Sequence, residues 1–261
     1  MNGIKRGIAG IIGIGIIVGI LLFCSGRYGD PLSEVNAKRR AAAYAQKLYP
    51  EKSFLVQGVR YMAPFVYIVD VQANESVDTH FSIKVSRWIQ VSDQLTEPGV
   101  TEHERLVENA WNTGCRMGRE AAEQAERILE KELPKYEFCT QYDQGSRKVQ
   151  IDIGYEPETF ETENGYREIP EQYRKFLPLN QRFEPVVLHQ VPARLAAVVS
   201  WPEDPTEADL KEVLTKMKNV LEENGMPFAY YHITLLHKSE TGVKEEIKQI
   251  GADNVSAEQI G

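Results

Sequence analysis

ARLAAVVSWPEDPTEADLKEVLTKMKNVLEENGMPFAYYHITLLH, residues 193–237, is the stretch that decides the fold class. Residues 193–201 form an apolar run of strand length, and 228–237 form a second. Between them stands Pro205-Thr206, with Asp209 three positions after the threonine. A hydroxyl and a carboxylate at that spacing satisfy the first free N–H groups of a helix, so a helix begins here. Leu210, Val213, Leu214, Met217 and Leu221 then recur along one helical face. Gly225 suits the left-handed residue that ends a helix, and Pro227 prevents continuation. The order is strand, helix, strand, and order alone does not say whether the two strands are neighbours. The tail from residue 242 has few apolar anchors and is expected to be partly mobile.

Residues 156–185 are acidic and carry prolines, with one short helical candidate at 170–177, and read as a linker or long loop. The cluster Glu156, Glu158, Glu161 and Glu163 lacks the alternating Asp/Asn and the glycine turn of a calcium loop, so it reads as a solvated acidic face. Residues 136–142 and 147–155 alternate, with Val149, Ile151, Ile153 and Tyr155 on one face, and are expected to form a hairpin about a turn at 143–146.

A long helix is expected over 101–133, opened by a capping box of Thr101 and Glu104 after the break at Pro98-Gly99. Its stripe of Ala110, Gly114, Gly118, Ala121, Ala122 and Ala125 reads as a packing seam that lets the helix lie close to a neighbour. Further towards the N-terminus, Asp30-Pro31 caps a helix over 32–49 that Pro50 stops. Strand-like runs follow at 53–61, 64–73 and 79–91, with a turn at Asn74-Glu75-Ser76. The expected product is one helix on one face of an antiparallel meander.

The first residues set the location. Residues 7–26, GIAGIIGIGIIVGILLFCSG, carry no charge over twenty positions, about 30 Å of helix at about 1.5 Å per residue. Lys5 and Arg6 precede them and a largely polar chain follows. The expectation is a single transmembrane helix with a short cytoplasmic stub and the bulk of the chain outside the cytosol, in a cell membrane. Cys24 stands where a lipoprotein is cut and acylated, but Phe23 occupies a place that requires a small residue. Cleavage before Arg27 stays open, although the apolar run is long for a signal peptide. Gly15 and Gly19 form a GxxxG pair that lets two membrane helices approach, and glycine is also common in such helices without that role.

The expected class is therefore α+β. Residues 1–29 are the stub and anchor, 30–160 an N-terminal α+β module with the long helix and hairpin, 161–184 a linker, and 185–261 a C-terminal α+β module in βαβ order. After the anchor, 28 Lys and Arg face 38 Asp and Glu. That acidic exterior, with no basic stripe, argues against nucleic acid and anionic lipid surfaces as partners.

Catalytic motifs are sparse. His103-Glu104 begins like a zinc-protease motif, but Val107 stands where the second histidine is needed, so His103 reads as a surface residue of the first turn. No cofactor or metal ion is expected. Cys115 and Cys139 are open to a disulfide outside the cell, and two free thiols are the other reading. One pair stands apart: His80-Phe81-Ser82-Ile83 and His232-Ile233-Thr234-Leu235 share the pattern histidine, apolar, hydroxyl, apolar. Period two places each histidine and its hydroxyl on one face, the arrangement of two-histidine phosphoesterases, in which His80 and His232 would act as acid and base while Ser82 and Thr234 hold phosphate.

The sequence from the anchor through Lys47-Leu48-Tyr49-Pro50, the strand at 53–61, and Asp78-Thr79-His80-Phe81-Ser82-Ile83 is similar to PepSY-like domains. More narrowly, it resembles the YfjL-like membrane proteins of Gram-positive bacteria over residues 1–95. The resemblance implies an N-terminal module followed by an α+β C-terminal part, carries over no catalytic residues, and implies a role in binding or restraining extracytoplasmic partners such as peptidases. The expected function is a membrane-anchored binding protein without catalytic activity, its partner another envelope protein. The alternative is a phosphoesterase-like hydrolase using the two histidine motifs.

Overall fold

The computed structural model describes residues 13–20, 23–24, 27, 29–62, 64–86, 89–95, 99–140, 147–158, 167–241 and 244–260. The chain divides into two units, Met1–Glu108 and Asn109–Gly261. Residues 13–20 and 23–24 are helical, while 7–12, 21–22 and 25–26 of the expected span lie outside the described residues. Among the described residues, no helix is long and apolar enough to cross a membrane.

In the first unit, α1 (Pro31–Leu48) starts where the Asp30 side chain accepts the N–H of Ser33 at 2.8 Å, with Pro31 in the first turn. Ala37, Ala41 and Ala45, four apart, are its buried face. Those small side chains let the helix lie close against an antiparallel sheet of β1 (Phe54–Met62), β2 (Val66–Ala73), β3 (His80–Ser86) and β4 (Gln90–Ser92), in that spatial order. Tyr67, Val69, Val71, Phe81, Ile83 and Val85 alternate inward to complete the core. This is the helix-on-meander arrangement expected from the sequence.

The long helix is not continuous from residue 101. A π-helical turn, Glu104–Glu108, closes the first unit, and Ala110 adopts a left-handed conformation (φ 59°) before α2 (Trp111–Glu132) begins. The expected grouping of 30–160 accordingly gives way to a division after Glu108. The reason is packing: Met117, Ala121, Ala125 and Leu129 of α2 share a core with the C-terminal strands.

In the second unit, β7 (Ala193–Ser200), α4 (Glu207–Glu223) and β8 (Tyr230–Thr241) realise the strand–helix–strand order, and β7 and β8 pair as parallel neighbours. Thr206 and Asp209 form the expected capping box, and Gly225 takes φ 76° after the helix ends. Leu210, Val213, Leu214, Met217 and Leu221 are buried against the sheet. The short helix α3 (Glu171–Arg174) sits within the expected helical candidate.

One expectation is overturned. β5 (Glu137–Cys139) and β6 (Val149–Ile153) do not pair as a hairpin; both run antiparallel to β7, end to end along the same edge. Alternation identifies a strand but not its neighbour, and the central apolar β7 is the stronger partner. The expected turn at 143–146 lies outside the described residues. The tail carries a strand that the sequence pattern did not reveal: β9 (Lys244–Ser256) pairs antiparallel with β8. Main-chain hydrogen bonds hold this edge strand, and Ile250, Ala252 and Val255 pack against the core of the unit.

Candidate functional site

The seam of small residues on α2 places the helix beside the edge of β6. A Cβ on Gly118 would lie 2.3 Å from the carbonyl oxygen of Ile151, so only glycine permits the approach. Side chains of α2 then complete the strand edge. Glu126 Oε1 accepts the backbone N–H groups of Lys148 (2.6 Å) and Val149 (2.9 Å). Arg147 returns the contact, donating to the carbonyl of Arg119 (2.8 Å) and to Glu123 (3.0 Å).

Along this seam runs a groove of about 390 Å³. Trp111, Cys115, Arg119 and Ala122 form its helical wall, and the β6 residues, Arg147, Arg167 and Ile169 the other. Asp152 also lines it, but its Oδ2 accepts from Nη2 (2.6 Å) and Nε (3.1 Å) of Arg194. Arg194 further donates to Asn254 Oδ1 (3.0 Å), and its guanidinium lies 4.2 Å from the centroid of the Tyr155 ring. The lining thus carries three guanidinium groups, of which Arg147 is paired with Glu123, and one carboxylate, Asp152, paired with Arg194.

Period two on β6, β7 and β8 puts Asp152, Arg194, Tyr230, His232 and Thr234 on the sheet face opposite the core. His232 Nδ1 lies 2.7 Å from Asp253 Oδ1 at a bulge where β9 gains residues against β8. His80 belongs to the first unit, exposed at the start of β3, with Nδ1 2.9 Å from the carbonyl oxygen of Val77. Ser82 donates to Asp70 Oδ1 at 2.5 Å rather than facing a ligand. The alternation within each motif is as expected, but each unit holds one of the two motifs, and neither unit assembles the pair.

Cys115 and Cys139 form no disulfide. Cys115 sits beside the Ile151–Ile153 end of the seam, whereas Cys139 pairs with Val198 on β7, roughly 10 Å or more further along at about 3.3 Å per residue. A disulfide needs Cα atoms within about 7 Å. Burial raises the thiol pKa of Cys139. Gly15 and Gly19 lie on the helical stretch 13–20, with open space around both.

His103 is not a surface residue. Its Nδ1 lies 2.5 Å from Oδ2 of Asp93, which is only 1% exposed, and its ring packs near Tyr49 and Phe81. Tyr44 donates to the other carboxylate oxygen at 2.8 Å. Burial and the adjacent Asp93 carboxylate push the Tyr44 pKa up to about 12. This cluster ties α1, the segment after β4 and the residue just ahead of the π-helical turn together, with Asp93 satisfied on both oxygens. It is a closed structural knot. Among the described residues, no group of His, Cys, Asp and Glu has the makings of a metal site.

The first unit holds the helix, meander and upstream apolar run that the sequence resemblance rested on. Residues 4–94 match the YfjL-like, N-terminal domain family. The match supports a YfjL-like family for this segment, which ends just past β4 and before His103. No curated protein matches the chain. A solved structure of a DUF5037 family protein from Ruminococcus gnavus ATCC 29149 is similar at 12% identity over 77% of this chain and 74% of that one. Its TM-score of 0.21 is too low to support any argument.

The groove was not foreseen. Its arginines are 28 and 20 positions apart in sequence, and only the crossing of α2 over β6 collects them.

Proposed function

We propose that the chain is a membrane-anchored binding protein of the cell envelope. Residues 7–26 serve as its single span, and the two α+β units stand outside the cytosol to engage another envelope component. The observation that carries the reading is the groove on the second unit. It is of a size that takes a small ligand or a side-chain cluster of a partner, and two of its polar lining groups, Arg147 and Asp152, are held by their own contacts. The uncharged apolar run and the acidic body support the anchored topology. The YfjL-like match supports the same module type, and the PepSY-like resemblance extends it to restraining an extracytoplasmic partner in a Gram-positive envelope.

Fractionation tests the placement. The full chain should sediment with membranes, resist salt washing, and be released by detergent, and protease added to intact protoplasts should cut its body. Purification from detergent extract should recover a partner in fixed stoichiometry. A chain found soluble in the cytosol and protected from external protease would overturn the reading.

A further inference from the structure

We infer that the groove between α2 and β6 binds an anionic group, a carboxylate or a phosphate. The inference rests on the binding reading above and gives it a ligand chemistry. Arg119 from α2, Arg147 ahead of β6 and Arg167 ahead of Ile169 line one cavity. The chain as a whole is at −8, and even with Arg147 paired to Glu123 the gathering of three arginines about one cavity runs against that composition. The one acid among the described lining residues, Asp152, is neutralised from outside the groove by two N–H groups of Arg194. Arg147 is held in place by the Arg119 carbonyl and Glu123, so it loses little freedom when a ligand arrives.

A guanidinium offers a planar fork of N–H donors that matches two oxygens of a carboxylate or phosphate. Trp111 and Ile169 add an apolar wall towards one end, which favours an anion carried on a partly apolar molecule over a bare ion. Ionic steering into the groove should make the association sensitive to salt.

Titration calorimetry on the detergent-solubilised full chain, with inorganic pyrophosphate and with citrate at low ionic strength, tests the inference. At least one probe should bind saturably, one per chain, and bind more weakly as salt rises. Pyrophosphate alone would assign a phosphate source, and citrate alone a carboxylate source. Arg119→Gln combined with Arg167→Gln should weaken the better probe about tenfold or more. Should that double variant fold poorly, Arg119→Glu reads the same site from an exposed position. No saturable heat from either probe, or equal affinity in the variants, would overturn the anion site. Partner recovery from membranes would be unaffected by that failure, and loss of the partner with anion binding intact would sink only the envelope reading.

Discussion

Glu126 on α2 accepts the backbone N–H of Val149 on β6 at 2.9 Å, and the same oxygen takes the N–H of Lys148. A helix side chain thus supplies the hydrogen bonds that a missing strand would have made. Glu126→Ala should destabilise the second unit by about 1–3 kcal/mol, because it orphans two partly buried donors. Glu126→Gln keeps a neutral acceptor and should cost less. Urea midpoints in that order, wild type above Gln above Ala, are the expected result; identical midpoints would show that water replaces the carboxylate at no cost.

Gly118→Ala separates helix propensity from packing. In an open helix, alanine gains about 1 kcal/mol over glycine. Here its methyl would sit 2.3 Å from the Ile151 carbonyl oxygen, and forcing α2 away costs about 1–3 kcal/mol. The variant should therefore unfold at lower denaturant than wild type, and a stabilised variant would contradict the close seam.

Tyr44 makes the first unit sensitive to alkali. Its pKa is raised from 10.0 to about 12, chiefly by burial and then by Asp93, and burial likewise raises that of Tyr49. Below pH 10 both tyrosines are protonated in folded and unfolded chains, and the contribution is complete. Between pH 10 and about 12 the unfolded chain releases protons that the folded chain keeps, so stability falls as pH rises through that window. Denaturation at stepped alkaline pH, followed by tyrosinate absorbance, should show late titration that coincides with unfolding. Tyr44→Phe should flatten the slope.

Thr206→Ala tests the capping box of α4. The Thr206 hydroxyl accepts the Asp209 N–H at 3.3 Å, and Asp209 Oδ2 accepts the Thr206 N–H at 2.8 Å. Loss of the threonine should cost about 1 kcal/mol and raise amide exchange in the first turn of the helix. Unchanged exchange there would mean the cap is redundant with the packing of Leu210 and Val213.

What the sequence made legible was local chemistry. Thr206 with Asp209, Gly225, and the apolar ladder from Leu210 to Leu221 each specify a conformation through neighbours in the chain, and the structure has them as read. Pairing was harder. Val149, Ile151 and Ile153 alternate identically whether β6 faces β5 or β7, so the hairpin was a default that the apolar β7 displaced. The break at Ala110 was hidden because alanine is a good helix former and reveals nothing of a left-handed turn. His103 looked like surface because its acid, Asp93, lies ten positions earlier across a Pro-Gly break. The arginine groove was invisible for the same reason, since its members meet only through tertiary crossing.

The covering of β6 by α2 also limits how this unit can join with itself. Of its long strands, β9 remains as an outer margin where a copy could add, margin to margin about a twofold axis. On the opposite side the N–H groups of Lys148 and Val149 are already taken by Glu126, so that stretch gives a further strand nothing to extend.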